Sequence, residues 1–338
     1  MAWRRLQSHT GKVRHNGDSG TPDWHERRAL LRAVAFGQEH ELWMRRPAVA
    51  ASVAIGVLAA VRGDSIVLDS ERGAERFALS PASVTWLGAR TSPSALRVGD
   101  PVIIRHRVPR ADQPDRRLAE HIWARIGRAT GTIVAAHGSE FLVDMPGRDK
   151  QRVVIPSASS RQIQVRFPRL APGYLLDVIG TRHQDYLLAV TPATAQPPYH
   201  AGHSPAPPLI SGHVTMPVSG PAVWHEPDGE PTGLVGLGYP AIDPEESGTQ
   251  AAGGTGCVRL PYLSLGSAVR IRNECGGRAA MLPVTSEAVT ARQFCDRCVK
   301  CGTSPKGRVA DLTVAAFVEL GGNLEDGCFN ATLTTITG

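Results

Sequence analysis

At 338 residues the chain is too long for one small core and long enough for two or three domains of ordinary size. Its 42% hydrophobic content suits folded domains, while 5% aromatic residues with 35 Gly and 26 Pro favour short strands and turns over long helices. The formal net charge of +6 would suit an anionic polymer, but the arginines are scattered and no run of five basic residues occurs, so nucleic acid is not expected as a partner.

Residues 1–50 read as a basic N-terminal tail carrying Arg4, Arg5, Arg27, Arg28 and Arg32. No 18-residue apolar run is present there, so neither a transmembrane segment nor an ordinary signal peptide begins at Met1. Met44-Arg45-Arg46-Pro47 followed by "AVAASVAIGVLAAV" has the form of a signal peptide starting at Met44, and the same apolar run also reads as the opening strand of the next element.

The segment Gly56 to Asp69, "GVLAAVRGDSIVLD", aligns without gaps on Gly131 to Asp144, "GTIVAAHGSEFLVD", 75 residues later. Each copy reads as apolar strand, glycine-centred turn, apolar strand, which predicts a hairpin. Leu96-Arg97-Val98-Gly99 before Val102-Ile103-Ile104 is echoed 74 residues on by Leu170-Ala171-Pro172-Gly173 before Leu175-Leu176. Two copies of one small β-barrel are expected, at 51–110 and 126–190. The pattern resembles the small OB-like barrels found in tandem in bacterial envelope proteins. Phe77, Trp86 and Phe141 do not alternate with basic residues, so the barrels are expected to act as spacers or as docking modules for a protein partner. Between the copies, Leu118, Ile122 and Ile126 recur every four residues, which predicts a short helix. "TPATAQPPYHAGHSPAPP", residues 191–208, predicts an extended Pro-rich linker.

Residues 209–338 hold all six cysteines: Cys257, Cys275, Cys295, Cys298, Cys301 and Cys328. An even number confined to one β-rich domain points to three disulfides and an oxidising compartment. The alternative is that Cys295, Cys298 and Cys301, in "CDRCVKC", bind zinc in an intracellular scaffold, although the remaining cysteines stand singly and offer no second knuckle. His200, His203, His213 and His225 lie close together in sequence and read as solvated loop histidines rather than metal ligands.

Within this domain "LSLGSAVRIRN", Leu263 to Asn273, is similar to the "LPFGTxVxVxN" strand of double-psi β-barrels, and "GRVADLTVAAFVELGG", Gly307 to Gly322, resembles the "GxxxDLSxxAFxxLGG" segment of expansins, barwin-like proteins and rare lipoprotein A. The resemblance covers about residues 209–338 and implies a six-stranded double-psi barrel, so the fold class expected for the chain is mainly β, two small barrels followed by a third. It further implies a site around Asp311 that binds or remodels a cell-wall polysaccharide or peptidoglycan, with no cofactor, in an extracellular or wall-associated protein. A cytoplasmic location goes with the zinc alternative. Independently of the family, Asp311 ends a strand, Thr313 is placed to cap a helix with apolar residues at Val314, Phe317, Val318 and Leu320, and Gly321-Gly322 ends it. In the lytic relatives a His and an Asp act on the glycan. Leu260 and Ser286 stand at those positions here, with Glu287 beside Ser286. A peptidoglycan lytic enzyme would therefore have to use Asp311 with Glu287, and non-hydrolytic binding is the leading expectation. Tyr262, Trp224 and Tyr239 are the aromatics available to stack on sugar rings, and Asp311 and Thr313 the polar anchors.

Overall fold

A computed structural model describes residues 52–107, 117–146, 148–203, 215–226, 234–247 and 258–335. The expected tail at 1–50, Cys257 and His213 lie outside the described residues.

In the first barrel β1 (Val53–Arg62), β2 (Ser65–Ser70) and β3 (Gly73–Ala78) form a meander, β4 (Val84–Trp86) and β5 (Arg90–Thr91) a small hairpin, and β6 (Pro101–Arg107) and β7 (Leu118–Ala124) complete the sheet. Its order is β3-β2-β1-β6-β7, closed by a parallel contact between Ala78 and Leu118. The second barrel comprises β8 (Ile126–His137), β9 (Glu140–Asp144), β10 (Gln151–Val154), β11 (Leu175–Arg182) and β12 (Leu187–Pro192), and closes in the order β10-β12-β11-β8-β9. In both barrels the closing contact is parallel.

The repeat seen in the sequence is a repeat of register. Val57 faces Asp69 in one barrel and Thr132 faces Asp144 in the other, and the strand bulges between Leu58 and Ala60 just as its counterpart does between Ile133 and Ala135. A Cβ on Gly56 would run into the carbonyl oxygen of Asp69, and one on Gly131 into that of Asp144. Glycine is required at both places because two main chains cross there without room for a side chain.

The third barrel is built from β13 (Val218–His225), β14 (Leu237–Tyr239), β15 (Ala268–Asn273), β16 (Ala279–Glu287), β17 (Ala310–Thr313) and β18 (Cys328–Thr335). It closes in the order β13-β17-β14-β16-β15-β18, with β13–β17 and β14–β16 parallel. The helix Val314–Glu319 follows β17, capped by the Thr313 hydroxyl, which accepts the Ala316 N–H at 3.3 Å, and the chain leaves it through Gly321 at φ +83°. Every residue from Val314 to Val318 is buried, and Phe317 stacks on Phe329 with centroids 4.8 Å apart.

Two expectations are corrected. The segment expected to be helical between the repeats is strand, β7 running almost directly into β8. The four-residue spacing of Leu118, Ile122 and Ile126 is even, so it keeps residues on one face of a strand as readily as on one face of a helix. The expected linker begins instead as packed chain. β12 runs to Pro192, Ala195 and Arg297 exchange two backbone hydrogen bonds of 3.0 Å, and the Tyr199 hydroxyl donates to the Gln293 carbonyl at 3.0 Å.

The barrels share one apolar core, since Trp86 and Trp123 of the first and Ile179 of the second pack into the cluster around Trp224, Phe317 and Phe329 of the third. Cys275 is bonded to Cys301 and Cys298 to Cys328, with Cα atoms 5.3 and 5.8 Å apart, and Cys295 is also disulfide-bonded. No helix among the described residues is long and apolar enough to cross a membrane.

Candidate functional site

β13 and β17 run parallel, with Val223 beside Asp311 and His225 beside Thr313. This register carries the His225 ring over the Asp311 carboxylate, Nδ1 to Oδ1 at 3.2 Å, with the two side chains 20% and 14% exposed. Both line a cleft of about 340 Å³ together with Glu226, Ser286 and Glu287 of the third barrel and Arg128 and Arg148 of the second. Gly238 lies between them, paired with Asp311 on one side and Ser286 on the other. A Cβ there would come within 3.2 Å of the Ser286 hydroxyl and 3.3 Å of the Asp311 carbonyl oxygen, so glycine keeps the floor of the cleft open.

Burial by itself would raise the pKa of Asp311. The His225 imidazole, which also hydrogen-bonds it, and the Arg128 and Arg308 guanidinium groups beyond outweigh burial and hold the carboxyl below its ordinary value. Those arginines belong to a buried network. Arg128 donates to both oxygens of Asp177, at 2.8 and 2.6 Å, and to the carbonyls of Trp224 and Gly327. Arg308 donates to Asp296 at 2.8 Å and also to Asp177, with its guanidinium over the Phe294 ring. Burial disfavours the charge of Arg308, but Asp296 and Asp177 more than restore it.

The other carboxylates of the cleft are occupied. Glu287 is ion-paired with Arg292, and Glu226 with Arg182 and, at 3.6 Å, with Arg148, while it accepts the Arg128 N–H at 2.9 Å.

Of the residues anticipated from sequence, Asp311 and Glu287 come together in this cleft and the rest do not. Thr313 is buried, its hydroxyl spent on the helix cap and on the Leu234 carbonyl at 2.7 Å. Trp224 and Tyr239, expected as stacking platforms, are 1% and 0% exposed, with Trp224 donating to the Leu324 carbonyl and Tyr239 to that of Pro261. Tyr262, at 53% exposure, is open to solvent. The zinc alternative is set aside because the sulfurs of Cys295, Cys298 and Cys301 are all in disulfides and hold no thiolate to offer. His225, read from sequence as a loop histidine, is a strand residue at the site. The available signal was its place directly after the apolar run "AVW", where a strand would deliver it to the barrel rim.

No family model matches the chain, and no curated protein matches it. Among solved structures it is similar to a multidomain protein with nucleic acid binding domains from Streptococcus pneumoniae TIGR4, at 18% identity and a TM-score of 0.17. The match covers 46% of this chain and 57% of that one, so it spans little more than half of that protein's length.

Proposed function

We propose that the cleft at Asp311 binds a strand of cell-wall polysaccharide or peptidoglycan without cutting it, on a third barrel of the double-psi type that resembles those of expansins and rare lipoprotein A. In support of that type, "LSLGSAVRIRN" contains β15, "GRVADLTVAAFVELGG" contains β17 with its following helix, and two of the six strand pairings are parallel. The five-stranded closure of each of the first two barrels, through a parallel contact, supports the OB-like reading. The second is not a simple spacer in this reading, because its Arg128 and Arg148 line the cleft.

The observation that carries the proposal is the His225–Asp311 pair. An ionised carboxylate in a half-enclosed cleft accepts strong hydrogen bonds from sugar hydroxyls. Cleavage needs a carboxylic acid whose pKa is raised, ready to protonate the leaving oxygen. Asp311 is shifted the other way, and Glu287 is engaged with Arg292. A lytic reading keeps one specific support, that the His225 imidazole beside Asp311 is a proton carrier opening onto the same cleft. The disulfides favour an extracellular or wall location.

The test is Asp311→Asn, assayed for both pull-down on purified walls and release of soluble glycan. Loss of pull-down from a wild type that releases nothing supports binding. Release by the wild type that disappears in the variant replaces the proposal with the lytic reading.

A further inference from the structure

A second cavity, of about 600 Å³, shares no lining residue with the Asp311 cleft. Its walls are the helix Ser157–Arg166, the stretch Thr191–Thr194 that follows from β12, and Val299 and Lys300 from the third barrel. Arg161, Arg166 and Lys300 face it, and neither an acidic nor an aromatic side chain lines it. The helix sequence "SASSRQIQVR" contains no carboxylate, and neither Arg161 nor Arg166 forms an ion pair with a carboxylate among the described residues. Lys300 is paired with Asp326 at 3.0 Å, both about one-third exposed. Its position is fixed from both sides, because Cys298 is tied to Cys328 and Cys301 to Cys275. Of the remaining lining, Ala158, Pro192, Ala193, Val299 and Val165, which is 69% exposed, are apolar, and Gln162, Thr191 and Thr194 are uncharged polar residues.

We propose that this groove binds a polymer of polyol phosphates, a phosphodiester strand without bases. Cations contributed by two barrels along one groove match charges repeated along a chain better than a single anion. The apolar patches between them suit the short carbon stems that separate the phosphates. A nucleic acid strand is disfavoured on the same surface, since single-stranded binding draws on aromatic side chains for the bases to stack on, and this groove has none. The site is separate from the cleft at Asp311, so it stands whether or not that cleft binds glycan.

The experiment is fluorescence anisotropy of the full chain, disulfides intact, with a labelled glycerol phosphate oligomer, titrated over a range of salt. Binding is expected to weaken with salt at a slope near −2 in log–log form, about 0.7 for each of three neutralised phosphates. Arg161→Gln with Arg166→Gln is expected to lower affinity by at least about tenfold and to leave a slope of about −0.7. Val165→Glu, which puts a carboxylate into the groove from an exposed position, is expected to weaken binding without touching the core and tests the proposal even if the double variant folds poorly. Asp311→Asn is expected to bind the oligomer like the wild type. The proposal is overturned if the wild type does not bind the oligomer, or if the double variant and Val165→Glu bind it unchanged. It is equally overturned if oligodeoxythymidylate of the same phosphate count binds as tightly, or if inorganic phosphate at matched ionic strength displaces the oligomer.

Discussion

Arg308 of the third barrel donates a charged hydrogen bond to Asp177 of the second, and both side chains are shut off from solvent. The same carboxylate holds Arg128 through two bonds, so one buried aspartate balances two arginines from different barrels, with Asp296 sharing Arg308. Replacing Asp177 by Asn leaves more buried positive charge than Asp296 alone offsets. Unfolding in urea is expected to show a loss of about 3–5 kcal/mol, the usual consequence of removing one partner from a buried ion pair.

Asp311 makes a pH prediction with a definite sign. Its carboxyl is held below the ordinary value, first against burial and then by His225, so the stability this contributes is present above the unfolded pKa of about 3.9 and is lost as pH falls through the lower folded value. Wall binding that depends on the ionised carboxylate should persist at pH 4, where an ordinary aspartate is already half protonated. Binding that halves between pH 5 and pH 4 would show that Asp311 is not held down in this way.

His121 acts on the same acid side of the stability profile, at higher pH. It is buried, stacked on Trp123 with centroids 4.1 Å apart, and lies 3.3 Å from Glu325. Burial, then Arg105 and Arg90, push its pKa down to about 4 against the pull of Asp326. The unfolded chain therefore binds a proton near pH 6.5 that the folded chain refuses until about pH 4, and stability falls across that window on acidification. The fall is on the order of 3 kcal/mol. Glu325, raised chiefly by burial, works in the other sense, so the comparison is between wild type and His121→Phe, whose stability should slope less between pH 6.5 and pH 4.

The repeat can be tested one glycine at a time. Gly56→Ala and Gly131→Ala each force a Cβ onto a main-chain oxygen that belongs to a paired strand and has little room to retreat. Each should cost about 1–3 kcal/mol. The two losses should be alike, since the registers around them are the same. A loss at one position and none at the other, measured by thermal unfolding, would mean that one copy relaxes where the other does not.

The barrels were legible in the sequence because a steric requirement leaves a fixed mark: where two strands cross too closely for a side chain, Gly and the facing Asp recur at constant spacing. The capped helix after Asp311 was legible for a similar reason, each of its signals lying within a few residues of the next. What escaped depended on distance or on ambiguity of period. The meaning of His225 rests on Asp311, 86 residues later, being carried alongside it by a parallel pairing. Trp224 and Tyr239 are aromatic in type whether they cover a sugar or fill a core, and only the closed barrel decides. Arg128 and Arg148 belong to a different barrel from Asp311, and composition gives no hint that they meet it.

The exchange of hydrogen bonds between Ala195 and Arg297 bears on how the protein would behave if its chain were cut. Were the chain cut between Ala195 and Arg297, their paired hydrogen bonds, the buried Arg308–Asp177 ion pair and the shared apolar core would still join the two pieces. The two fragments would travel together through a sizing column as one particle. Expressed apart, each would present to water the surface that the other now covers.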